Sequence, residues 1–212
     1  MTLGPEATRS RVFVLSPASL SGARGRRILR GEAVTPALRP LEKGGVVPLA
    51  EVYAAISTLY FRGKLSYARR FARWTGSSGS AVLAITPTRG VMAVDAPVSL
   101  AELCADAGVD IDSSDASYAR ALDATCRSLH DALPPDGEVV LLGSIATTKY
   151  LEPLAAVFGP RLLVPRAFIG RGDMSRGGLL LRAVESGEEL EYDIALTAPR
   201  RGARPPRLGP RA

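Results

Sequence analysis

The sequence predicts a single α/β domain of three layers, built on a mostly parallel sheet. Three observations lead there. Short apolar runs of strand length begin at residues 11, 81, 138 and 161. Segments with helical periodicity separate them, the alternation that sandwiches a parallel sheet between helices. The loops after the first three runs are rich in hydroxyl and basic side chains, and such sheets bind ligands at the carboxyl ends of their strands.

In chain order, "RVFVLS" (11–16) reads as a buried strand opening into the loop "SPAS". "GARGRRILRG" (22–31) is a short helix or an ordered loop, and "LRPLEKGGVVP" (38–48) has the Pro and Gly of a connector. A helical pattern runs from Pro48 through Val52, Ile56, Leu59 and Tyr60, breaks near Gly63, and resumes through Leu65, Ala68 and Phe71. "WTGSSGS" (74–80) is a turn, and "AVLAITPTRG" (81–90) a second strand that delivers a basic loop. "DASYARALDATCRSLHDAL" (115–133) is amphipathic, with Tyr118, Leu122, Cys126, Leu129 and Leu133 near one face. "EVVLLGSIATTKY" (138–150) gives a strand, a Gly-Ser turn and a helix from about Thr147. "RLLVP" (161–165) is a fourth strand, and the alternation of "ELEYDIAL" (189–196) suits an edge strand.

With 46% hydrophobic and only 6% aromatic residues, the core is expected to consist of Leu, Val, Ile and Ala. No run approaches the roughly 18–20 apolar residues of a membrane span. The opening "MTLGPEATRSR" lacks the apolar segment of a secretory signal, so a cytoplasmic protein is expected. Cys104 and Cys126 then read as two buried thiols, with a disulfide as the alternative. The net charge of +6 is uneven: the tail "PRRGARPPRLGPRA" carries five arginines and no acid. The expected organisation is a flexible N-terminus (1–10), the α/β domain (11–198) and a disordered basic tail (199–212). The tail suits either electrostatic contact with nucleic acid or a solvated terminus.

Four segments are candidates for one site: "SPASLSGARGRR", "TPTRG", "GSIATTK" and "IGRGDMSRGG". Taken together they propose an anion pocket. Ser16, Ser19, Ser21 and Arg24 form its first wall, Arg89 its second, and Ser144, Thr148 and Lys149 its third. Arg171, Asp173 and Arg176 close it, with Lys64 turned inward from its helix. Guanidinium forks match phosphate oxygens two at a time, and Asp173 and Lys149 are the candidate catalytic groups. Each loop taken singly also fits ordinary turn or helix-capping chemistry. "GARGRR" lacks the Lys-Ser/Thr of a phosphate-binding P-loop, no Gly-x-Ser-x-Gly elbow occurs, and His130 sits beside Asp131 away from the loops. No metal-ligand spacing is present, so neither a metal nor a cofactor is expected. Asp95 is a further acid within reach of such chemistry by sequence position.

Several segments together resemble a known family. "VFVLSPAS" resembles the opening "ISPAK" of the peroxide-resistance YaaA family, without its lysine in that loop. "LAITPTRGVMAVDAPV" is similar to that family's strand, "SGLYGLLRPLD" loop and acidic turn. "VVLLGSIATTKYLEPL" occupies the position of its "NLASNEY", and "GRGDMSRGG" that of its "KARG". Related uncharacterised domains, among them an accessory domain of archaeosine synthase, share the same order. The resemblance implies a uracil-DNA-glycosylase-like or Rossmann-like fold and a nucleotide, nucleobase or nucleic-acid partner. For the site at the strand ends, the expected enzymatic form is base processing or glycosidic-bond hydrolysis. A non-catalytic partner-binding protein is the alternative; composition leaves the oligomeric state open.

Overall fold

A computed structural model describes residues 9–57, 59–74, 79–112, 114–146, 148–206 and 208–209. The apolar runs become strands because each has two faces to bury. In β1 (Arg11–Leu15), Val12 and Val14 point to one side of the sheet and Phe13 and Leu15 to the other, all fully buried. A strand covered on both faces has no polar side to alternate with, hence the unbroken run. The same holds for β3 (Val82–Thr86) and β6 (Glu138–Leu142). These two flank β1 in parallel, and β7 (Leu162–Pro165) extends the sheet beyond β6. Antiparallel edges close it, β4 (Gly90–Ala93) on β3 and β8 (Tyr192–Ile194) on β7, giving the order β4-β3-β1-β6-β7-β8.

Helices cover both faces. On one lie α1 (Ala23–Leu29), α2 (Arg39–Glu42), α3 (Leu49–Ile56), α4 (Tyr60–Phe71), α5 (Leu100–Ala107) and α8 (Asp173–Ser186), which bury Phe13, Leu15, Ala84 and Leu142. On the other lie α6 (Ala116–Ala132) and α7 (Thr148–Phe158), over Val12, Val14, Ile85 and Leu141. The three expected layers are therefore present. Local chemistry fixes the helix starts: Asp115 accepts from the Ser117 and Tyr118 amides, and Ser99 with Glu102 forms a capping box. Each such cap contributes about 1 kcal/mol.

Several expectations need correction. The chain does not break at Gly63; the interruption falls between α3 and α4, and α4 runs through Gly63 unbroken. Gly63 is small because α8 crosses it: a Cβ there would lie 2.8 Å from the Gly177 carbonyl oxygen. "GRGDMSRGG" is likewise not a loop throughout, since α8 begins at Asp173 and contains Gly177 and Gly178. The basic loop after β3 is only the tight turn of the β3–β4 hairpin. Residues 46–48, expected as connector, form β2 (Val46–Pro48), a small ribbon with β5 (Pro97–Ser99). Cys104 is exposed, while Cys126 is buried, and both are free thiols.

Part of the expected turn at 74–80, Thr147, and Arg207 and Arg211 of the tail lie outside the described residues, as does most of the N-terminus. The described tail has no regular structure and runs against α8, where Arg171 donates to the Pro206 carbonyl at 3.3 Å and Arg182 to that of Gly209. No helix among the described residues is long and apolar enough to cross a membrane.

Candidate functional site

The strand order itself opens the site. From the end of β1 the chain turns to the face covered by α1–α4, while from the neighbouring β6 it turns to the face covered by α7. Loops that part over adjacent strand ends leave a crevice between them. Ser16 follows β1, and Gly143 and Ser144 follow β6. A Cβ at Gly143 would approach the Ser16 Cβ to 3.0 Å, so a glycine there lets the two strand ends meet closely. The crevice has a volume of about 410 Å³, within the usual range for small-molecule sites. Its walls carry Ser16, Ser19, Ser57 and Ser144 together with Tyr60, Tyr150 and Asp173. An adjoining hollow of about 280 Å³ shares Ser19 and Tyr150 and adds Ser21, Asp106, Asp110 and Lys149.

Lys64 forms the floor beneath Ser16. It is 1% exposed, carried inward on the buried face of α4. Its Nζ donates to the Ser16 carbonyl at 2.5 Å and to Ser16 Oγ at 2.9 Å, and it lies 4.5 Å from the Tyr60 ring centroid and 5.0 Å from that of Phe61. Ser16 Oγ donates in turn to the Leu142 carbonyl at 3.3 Å. Burial strips water from the ammonium and pushes Lys64 down to about 7; Asp173 opposes the shift and Arg176 adds to it.

Tyr60 is 7% exposed, and its hydroxyl has no hydrogen-bond partner among the described residues. Burial raises its pKa, tempered by the nearby Arg176 guanidinium, which stands close without reaching bonding geometry. The backbone N–H groups of Ala18 and Ser19 also lack a partner among the described residues. Unmet donors beside a crevice are groups that a ligand or water satisfies.

The residues assigned from sequence separate into two groups. Ser16, Ser19, Ser144 and Asp173 line the crevice, Lys64 lies beneath it, and Ser21 and exposed Lys149 border the adjoining hollow. The arginines do not join them as free cations. Arg89 binds Glu102 at 2.9 Å and fully buried Asp106 at 3.0 Å. Arg176, 7% exposed, donates to the Phe168 carbonyl at 3.3 Å and pairs with Asp173 at 3.4 Å. Arg171 reaches the Ala167 carbonyl and Ser175 Oγ, facing a hollow of about 610 Å³ between α8 and the tail. Arg24 is exposed and donates to the Ala55 carbonyl at 3.4 Å; Thr148 is exposed at the start of α7. Asp95 pairs with Arg69 on the surface.

Sequence reasoning missed Tyr60, Tyr150 and Ser57, and the acids Asp106 and Asp110 of the adjoining hollow. Tyr60 was legible as helical and apolar, but only the packing of α4 beneath the β1 loop makes it part of the crevice wall. Among the described residues no group of three or more His, Cys, Asp or Glu is placed to hold a metal. In comparison with known proteins, no family model, no curated protein and no solved structure matches this chain.

Proposed function

We propose that the chain binds a nucleoside or nucleobase in the crevice between β1 and β6, through hydrogen bonds and ring contacts rather than arginine–phosphate pairs. The observation that carries this is the pairing, in one crevice, of partnerless donors with two tyrosines and one carboxylate. The Ala18 and Ser19 amides and the Tyr60 hydroxyl lack partners among the described residues, while Tyr60 and Tyr150 supply aromatic surface. Asp173, with its side chain 67% exposed, can accept from a base edge or sugar hydroxyls. The arginines that would favour a polyphosphate or a nucleic-acid backbone are engaged by Glu102, Asp106, Asp173 and backbone carbonyls. The resemblance to the YaaA family, and a uracil-DNA-glycosylase-like or Rossmann-like reading of the sheet, agree with such a ligand. In the enzymatic form of this reading, Asp173 activates water toward the glycosidic carbon.

Thermal-shift titration with nucleosides, free bases and their phosphorylated forms tests the proposal. A nucleoside or base should raise the melting temperature in a saturable manner that depends little on salt. Tyr60→Phe should weaken that binding about tenfold, the cost of one lost hydrogen bond. A steep salt dependence would instead indicate phosphate contacts. No shift with any member of the panel overturns the reading.

A further inference from the structure

The crevice floor holds an arrangement that ligand binding does not use. Ser16 lines the crevice, and Lys64 Nζ lies 2.9 Å behind its Oγ, packed against the Tyr60 and Phe61 rings and 1% exposed. A surface lysine bonded to a serine would be unremarked. Lys64 has no ion-pair partner among the described residues and spends its donors on one residue, Ser16. The charged groups acting on it are Asp173 and Arg176, both from α8 and of opposite sign.

We propose that Ser16 is a nucleophile and Lys64 its general base, acting on the ester or similarly activated acyl group of a small molecule in the crevice. The inference is independent of the nucleoside reading, because only an acyl carbon has to reach Ser16 Oγ. Its geometry meets the first requirement of an activated hydroxyl, a base within hydrogen-bond reach. Two proton arrangements fit the same atoms. With Lys64 charged, Ser16 Oγ accepts from Nζ and turns its own proton to the Leu142 carbonyl. With Lys64 neutral, the Nζ lone pair accepts the Ser16 proton over the same distance, while an N–H still donates to the Ser16 carbonyl. Burial, which lowers the lysine to about 7, brings the neutral form into the physiological range.

The steps balance without any further reactant but water. As the Oγ–C bond forms, the serine proton passes to Lys64 and the carbonyl electrons move to oxygen. The Ala18 and Ser19 amides, in the loop that follows Ser16 and without partners among the described residues, are the candidate donors to that oxyanion. Collapse breaks the bond to the leaving alcohol, which takes the proton from Lys64 and leaves an acyl-serine. Water then attacks the acyl carbon, gives a proton to Lys64, and releases the acid as that proton returns to Ser16.

A fluorophosphonate probe tests this directly: Oγ–P forms, P–F breaks, fluoride leaves and Lys64 takes the proton. Intact-mass and peptide analysis of the full chain should find one adduct, on Ser16. Its rate should rise through a single ionisation near the lysine's value between about pH 6 and pH 9. Ser16→Ala should abolish the adduct. Lys64→Met should slow it about a hundredfold and remove the pH step, with a cooperative melt confirming the fold. The wild-type profile decides the matter even where Lys64→Met does not fold. No adduct, an adduct on another residue, or a rate that is flat with pH overturns the proposal. A purely structural Lys64 would give one of those results, and failure of nucleosides to bind would leave this test standing.

Discussion

Lys64 loses nearly all of its hydration on folding and regains only the two oxygens of Ser16. The consequence is a pH dependence of stability with a fixed sign. Burial lowers the lysine from its ordinary 10.5 to about 7 in the folded chain, so between those values the unfolded chain holds one more proton. Stability from this group therefore rises with pH across that window, by up to about 1.4 kcal/mol per pH unit. It is fully present above the unfolded value and lost as pH falls through the folded one. Urea unfolding between about pH 7 and pH 9 should show this slope in the parent and a flatter one in Lys64→Met. Equal slopes would contradict the burial account. The sequence pointed to Lys64, but for the wrong reason: a break at Gly63 was expected to aim it inward, whereas it lies on the buried face of a continuous helix. The arginines were illegible for a related cause. Glu102 and Asp106, which hold Arg89, come from α5, and no local pattern around "TPTRG" announces that pairing.

At the scale of elements, the crossing of α4 and α8 sets the geometry beneath the crevice. α4 carries Tyr60 and Lys64, and α8 carries Asp173 and Arg176. The two helices approach through Gly63 and Gly177, so Gly177 of "SRGG" serves packing rather than a turn. Their neighbours provide a contrast within a single helix. A Cβ at Gly177 would stand 3.0 Å from the Tyr60 Cα and 3.1 Å from the Leu59 carbonyl oxygen, both backbone atoms. At Gly178 the nearest atom is a Leu208 methyl at 3.4 Å. Replacing a helical glycine by alanine ordinarily gains up to about 1 kcal/mol. Gly178→Ala should show part of that gain, while Gly177→Ala should lose about 1–3 kcal/mol by forcing the helices apart. Chemical denaturation of both variants checks the pair; similar stabilisation in both would mean that the helices do not meet there. The glycine-rich string looked like a loop because composition cannot separate a flexible segment from a close helix crossing.

For the molecule as a whole, the strands were legible because a parallel strand buried on both faces leaves an unbroken apolar run. The edge strand β8 was legible for the opposite reason, its alternation. Strand order was not legible, since it depends on which run pairs with which over long separations in the chain. That order brings Ser16 and Ser144 together at neighbouring strand ends and sends Arg89 into a hairpin turn against α5. Ser16, Ser19 and Ser144 of the expected site therefore came together, whereas Arg89 and Arg176 were drawn into ion pairs. The central claim is that the β1–β6 crevice, and not the larger hollow between α8 and the tail, receives the ligand. Amide chemical-shift mapping during titration with a nucleoside tests it most directly. Shifts should concentrate at Ala18, Ser19, Ser144 and Tyr150 and saturate together. Shifts confined to Arg171, Met174, Gly178 and Arg204 around the larger hollow, or none at saturating nucleoside, would contradict it.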